Sequence, residues 1–395
     1  MIANVILFYS VAVMNIIIGS MRKKNQLLVW IAYVLIFILM TYNFKGPDIG
    51  NYINGYINSL DGDAGFTEIG YKFLMRIANT LNLNFFSFRA IISVVCLILF
   101  HSTIKFYKSN ENIIIGLYMI LLFFMDTIQM RNFVVAIIVL FSTKYLIDKS
   151  NFSALKYILC IIVATIFHSI APIYLLLLVC KYIRNRKVFY AMLVFSICSF
   201  IFFFISRGTL NSMLMFITKL LGVKTEYSGS ATRYGFIPVF LVYIFSMIMM
   251  HIYISRINKN TKKYEILNTI WNIYVVMSLL LPLLLINTNF YRIFRNISLL
   301  GLLFFGISSN EYEEQQVRVI PMYIITVGWW IIEVVLYNNI KTIILPIFSG
   351  NLVFDLKNFP VIFQSIIIVS VIMSIFLVLQ KTINSRKKVS LLNDW

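Results

Sequence analysis

Between Ile2 and Ser20 the chain carries no charged side chain, and stretches of this kind, closed by short basic runs, recur along most of its length. A bilayer core takes roughly 20 apolar residues per helix. Inside it every backbone N–H and C=O must be paired within the spanning structure, which leaves helices as the reading for segments of this length. Of 395 residues 60% are hydrophobic and only 12% charged, so a water-soluble domain would have to place its apolar residues on its own surface. The predicted fold class is an all-α polytopic integral membrane protein, organised as a single membrane domain over 1–395.

Expected spans lie at 2–20, 27–43, 88–106, 112–125, 132–148, 154–168, 171–183, 188–206, 236–255, 266–286, 293–309, 318–339 and 360–380, about 13 transmembrane helices (12–14). The pairs 112–125/132–148 and 154–168/171–183 are short hairpins, open to a re-entrant reading. The first span is followed at once by Arg22, Lys23 and Lys24 and has no small-residue cleavage site, so it reads as a retained helix. With that basic run inside, most of the 34 Lys and Arg fall in short cytoplasmic connections, which sets the N-terminus out and the C-terminus in. Outer loops then cover 44–87, 207–235, 287–292 and 340–359, and a short cytoplasmic tail covers 381–395. The net charge of +19 is distributed as topology signals and not as one basic face, which argues against a nucleic-acid partner. Cys96, Cys160, Cys180 and Cys198 sit within apolar segments without metal or disulfide spacing, and read as packing residues.

The unusual polar residues gather on the outer side. In "KGPDIGNYINGY", Asp48, Tyr52 and Tyr56 are four apart, so one helical turn puts them on one face; carboxylate and rings suit a sugar, and a helix cap with an aromatic belt is the bland reading. "FTEIGYKFLMRIANTLNLNFF" places Phe66, Ile69, Phe73, Leu74, Ile77, Ala78 and Leu81 at helical spacing opposite Glu68, Lys72 and Arg76, an amphipathic helix on the outer membrane surface; Glu68 is either catalytic or a partner of Lys72. "LLFFMDTIQMRNFVVAII" sets Asp126, Gln129, Arg131 and Asn132 in an apolar run, where the guanidinium either faces a polar cavity and binds phosphate or pairs with Asp126. His168 in "IFHSIAP" ends a span and is a candidate base or an interface residue. Arg292 and Arg295 in "NTNFYRIFRNISLL" share a helix face, and Arg233 closes the loop 207–235; arginines converging on one compartment point to a polyanionic ligand, with snorkelling as the alternative.

In order along residues 41–300, "GPDIGNY", "TEIGYKFL", "QMRNFVVAI", "FHSIAP" and "YRIFRN" resemble the EpsG family of Wzy-type polysaccharide polymerases. Members more often carry Gln where this chain has Asn132. The resemblance implies a GT-C-like architecture and transfer of a growing glycan from polyprenyl pyrophosphate to the non-reducing end of a new lipid-linked repeat unit. That activity belongs to the outer face of a bacterial plasma membrane, among membrane lipids and beside the pathway's flippase and chain-length regulator. With no His-rich cluster in the sequence, no metal or cofactor is expected, and Arg131, Arg292, Arg295 and Arg233 are expected to meet the pyrophosphate. Tyr52 and Tyr56 would line the sugar, and His168, ahead of Glu68 and Asp48, would take the acceptor proton. Three other classes compete. A lipid-carrier transferase of single sugars would use acids such as Asp48, Asp61 and Asp63, and a flippase would show internal symmetry that is not evident here. A membrane O-acyltransferase would need a deep histidine, for which His101 is the candidate. The acidic "NEYEEQQVR", 310–318, falls on the cytoplasmic side as a solvated loop or a regulator contact.

Overall fold

The structure is a computed structural model. It describes residues 2–21, 23–60, 68–183, 185–206, 212, 236–309, 325, 328–329, 331–332, 339–351, 353, 360 and 362–375. Arg233, Asp61, Asp63, Phe66, the acidic segment 310–318 and the tail 381–395 lie outside the described residues, as does most of the expected span 318–339.

Regular structure among the described residues is helical, apart from one isolated bridge between Asn43 and Asn351. The first helices are α1 (Ile2–Ser20), α2 (Gln26–Thr41), α3 (Ile49–Ile57), α4 (Ile69–Thr80) and α5 (Phe85–Phe106). The middle of the chain forms α6 (Glu111–Leu121), α7 (Phe123–Ile128), α8 (Met130–Ser142), α9 (Lys144–Ile147), α10 (Ser153–Phe167), a 3-10 segment (Ala171–Leu178), α11 (Val179–Tyr182) and α12 (Arg186–Ile205). Then follow α13 (Ile237–Ser255), α14 (Lys262–Ser278), α15 (Tyr291–Ser308), α16 (Leu345–Ser349) and α17 (Ile362–Ile375). Polar residues between the apolar segments start several of them. The side chains of Asn25, Asn84, Asn110 and Thr261 accept the backbone N–H of Leu28, Ser87, Ile113 and Tyr264, satisfying donors that a first turn leaves open.

Among the described residues five helices, Ala3–Ser20, Phe85–Phe106, Met130–Ile147, Arg186–Ile205 and Ile237–Ser255, are long and apolar enough to cross a membrane by themselves. Shorter apolar helices, such as Gln26–Thr41 and Ser153–Phe167, fill other expected segments. Burial sorts the helices into two kinds. The short, almost wholly apolar α6 is buried along most of its length, as is α15, and α8 packs with them at the centre. By contrast α1 and α12 leave Ile6, Ile17, Val194, Phe195 and Phe202 uncovered. Apolar side chains exposed in such number need a lipid solvent, and the protein is membrane-embedded. Close approach at the centre relies on Gly116, where a Cβ would come within 2.7 Å of the Ala12 carbonyl oxygen; α1 and α6 thereby pack backbone to backbone.

Within the loop 44–87, α3 and α4 lie one after the other. α4 begins at Ile69 because Glu68 is extended, and it buries Gly70, Tyr71, Met75 and Ala78. Its apolar residues Ile69, Phe73, Ile77 and Leu81 are turned away from the protein, Ile69 being 77% exposed. The helix is amphipathic, but Ala78, expected on its lipid face, belongs to the protein side.

Candidate functional site

The run that sets Asp126 and Arg131 among apolar residues is a helical hairpin. α7 ends at Ile128, Gln129 leaves the helical region with φ −93° and ψ 57°, and α8 starts back from Met130. Arg131 therefore sits at the first turn of α8, while Asp126 faces the interior one turn earlier.

Two ion pairs result, and neither is the one suggested by nearness in sequence. Arg131 Nη1 donates to the carboxylate of Glu68, which is 9% exposed; Glu68 is thus held by Arg131 and not by Lys72. Arg131 Nε lies 3.4 Å from the Tyr52 hydroxyl, and its guanidinium carbon lies 5.6 Å from that ring's centroid. Asp126 instead accepts from Arg295 Nη2 at 2.9 Å, with both side chains almost completely buried. Arg295, expected at a pyrophosphate, lies in the interior, where this pair joins α15 to α7. One turn along, Asn132 and Asn296 exchange two hydrogen bonds of 2.9 Å, and Asn296 also reaches the Tyr174 hydroxyl at 3.0 Å. Satisfied on all sides, this polar bridge fixes α15 against α8 and the 3-10 segment. The register so set leaves Arg292 on the first turn of α15, half-buried, with Nε out of solvent and without a hydrogen-bond partner among the described residues.

His168 completes the group. It ends α10 with extended backbone, is half-buried, and stands where Glu68, Arg131 and Arg292 all act on its charge. Its Nδ1 accepts the Ile170 N–H at 3.2 Å. In the neutral ring the proton is then on Nε2, so the outward nitrogen donates. Gly70 makes the juxtaposition possible: a Cβ there would lie 2.8 Å from the Ile166 carbonyl oxygen, so only glycine lets the start of α4 close on the end of α10. Sequence spacing alone missed Arg89, a buried side chain whose Nη1 donates to the Asn43 carbonyl at 3.1 Å and Nη2 to that of Thr127 at 2.5 Å, tying the chain after α2 to the hairpin tip. An arginine inside the apolar span "FFSFRAIIS" was the available signal.

Other expected residues stand apart. Tyr56, expected at the sugar, donates its hydroxyl to the Leu83 carbonyl at 2.6 Å and packs on Phe85 and Phe88; it is a buried support of α3. Asp48 is half-buried at the cap position of α3 without making the cap hydrogen bond, and no contact among the described residues joins it to the Glu68–Arg131 pair. His101 is clasped by Glu111 at 2.5 Å, with Tyr33 and Lys105 on the same carboxylate, so it is engaged in a polar clasp joining α5 to the start of α6.

Residues 26–349, most of the chain, match the sequence profile of the EpsG family. The chain belongs to the EpsG family. EpsG is a family of Wzy-type polymerases, so a role in building polysaccharide comes with membership. The EpsG match takes in Tyr52, Glu68, Arg131, His168 and Arg292 together. No curated protein and no solved structure matches the chain.

Proposed function

We propose that this EpsG-family protein is a metal-independent glycosyltransferase of the outer face of a bacterial plasma membrane. It joins lipid-linked oligosaccharide repeat units by moving the growing glycan from polyprenyl pyrophosphate to the non-reducing end of the next unit. The observation that carries the reading is the charge balance at the end of the α7–α8 hairpin. Arg131 is paired with the one carboxylate, Glu68; His168 feels the charges of Glu68, Arg131 and Arg292, and Arg292 keeps a buried N–H with no acceptor among the described residues. Such a site is incomplete without an anion, and two guanidiniums suit a pyrophosphate.

The chemistry follows from these positions. The acceptor hydroxyl oxygen bonds to the anomeric carbon while that carbon's bond to the pyrophosphate oxygen breaks. The hydroxyl proton passes to the Glu68 carboxylate, and the departing polyprenyl pyrophosphate takes the electron pair and one more negative charge. Arg131, Arg292 and the His168 Nε2–H stand to receive that charge, which makes them more favourable to the transition state than to the ground state. Glu68 replaces His168 as first choice of base, because the histidine's lone pair is already occupied by the Ile170 N–H. Tyr52 offers its ring to the sugar and its hydroxyl to Arg131. The exposed apolar face of α4 rests on the lipid beside the site, where the polyprenyl chains arrive. In this reading 1–395 forms one membrane domain with its N-terminus out and C-terminus in, working beside the flippase and chain-length regulator of its pathway.

Purified protein given a polyprenyl-pyrophosphate-linked repeat unit, with chelator present, tests the assignment on a gel. A ladder stepping by whole repeats is expected. Addition of one sugar from a monosaccharide-lipid donor, and no ladder, would make it a single-sugar transferase instead.

A further inference from the structure

A cavity of about 820 Å³ is at the other end of the bundle from the Glu68–Arg131 pair. It opens between the turn after α9, the end of α11 and the first turns of α14. α10 runs from this cavity to His168, and its 15 residues separate the two places by roughly 20 Å at 1.5 Å per residue.

One face of α14 is built for it. Glu265, Asn268, Thr269 and Asn272 follow the helical repeat and all line the cavity, a polar stripe running two turns into a helix whose later residues are buried and mostly apolar. At its inner end Asn272 is 6% exposed, and among the described residues its Oδ1 has no hydrogen-bond partner, nor has the buried Oδ1 of Asn268, one turn nearer the rim. Two residues that line a cavity and each keep an amide oxygen open suit a ligand that brings O–H or N–H donors.

The rim supplies the opposite demand. Four lysines line the cavity against two carboxylates, and both carboxylates are already engaged. Glu265 is held by Lys149 at 3.0 Å, and Asp148 accepts the Ser150 N–H at 3.1 Å and hydroxyl at 2.7 Å. Lys181 is fixed in the wall by the Asp148 carbonyl and the Ser153 hydroxyl, each 2.6 Å away. Lys259 and Lys262 have no carboxylate within ion-pair distance among the described residues.

We propose that this cavity binds a hydroxyl-bearing phosphate ester, with the phosphate at Lys259 and Lys262 and the hydroxyls on Asn268 and Asn272. Such a group comes either as a soluble polyol phosphate or as the headgroup of an anionic lipid in the leaflet opposite the transfer site. Neither source requires the polymerase reading to hold.

The test uses full-length protein in nanodiscs. In phosphatidylcholine discs sn-glycerol 3-phosphate is titrated while the thermal unfolding midpoint is followed; in parallel, discs with an increasing fraction of phosphatidylglycerol are compared. A rise in midpoint with the soluble ester assigns a soluble ligand, and a rise with phosphatidylglycerol assigns a headgroup. In either arm the Lys259→Gln/Lys262→Gln pair is expected to weaken the response at least tenfold in concentration. Asn272→Val is expected to weaken it as well; should that buried change prevent folding, the two rim lysines, which carry no packing, decide the matter. No response in either arm, or a response that both lysine replacements leave intact, overturns the proposal.

Discussion

Arg131 and Arg295 are the same residue type at nearly the same depth, and their surroundings give them opposite tasks. Arg295 is closed in with Asp126 at 1% exposure, so neither charge has solvent to fall back on. Removing one partner of such a pair leaves an uncompensated buried charge and costs about 3–5 kcal/mol. Asp126→Asn is therefore expected to lower stability by about that amount in thermal unfolding, with Asp126→Leu/Arg295→Met losing less than either single change. Arg131 is 22% exposed and shares its guanidinium between Glu68 and Tyr52, within reach of a ligand. Glu68→Gln keeps the hydrogen-bonding shape but cannot take a proton, and is expected to reduce kcat of repeat transfer by about 10²–10⁴-fold, read from initial rates of ladder growth. That Arg131 matters was legible from a guanidinium inside an apolar run. Its partner was not, because Glu68 is 63 residues away and Lys72 and Asp126 both offered nearer solutions.

At the scale of elements, the site depends on how closely α4 approaches the end of α10. Gly70 sets that distance, and the Ile166 carbonyl is backbone that cannot swing aside. Gly70→Ala is expected to displace Glu68 by a few tenths of an ångström or more, lowering kcat about tenfold while the unfolding midpoint stays near that of the parent; reacting groups misplaced by 1 Å cost about 10²-fold. The glycine of "TEIGYKFL" was visible in the sequence, but its reason was not, since the neighbour it admits is on a different hairpin. Helix existence was largely legible, because apolar runs bounded by Asn, Thr and basic residues state where backbone donors are capped. The two inner faces were not: Tyr56 shares a helix face with Tyr52, yet a carbonyl from Leu83 claims its hydroxyl. Spacing makes Arg292 and Arg295 neighbours on one helix face, and the Asp126 pair draws one of them inside.

Over the whole molecule, two groups of basic residues stand apart along the bundle axis. Arg131, His168 and Arg292 gather at one end, and Lys149, Lys181, Lys259 and Lys262 at the other. In the proposed orientation, which follows the positive-inside rule, the lysine end is cytoplasmic. A cysteine at Asn58, in the turn after α3, is expected to react with an impermeant thiol reagent on intact cells, and one at Lys149 only after permeabilisation, in a background with Cys198 replaced by Ser. Reversed labelling would turn the transfer site toward the cytoplasm. The account as a whole rests on the anion-seeking cluster being the place where glycan leaves its carrier. Arg292 tests this most cleanly, because no carboxylate among the described residues is left unpaired by its removal. The measurement is the rate of whole-repeat ladder growth by Arg292→Gln beside the parent, with unfolding midpoints matched. A fall of about 10²-fold in turnover is predicted for loss of one charge-stabilising donor; unchanged turnover in a folded variant would contradict the account.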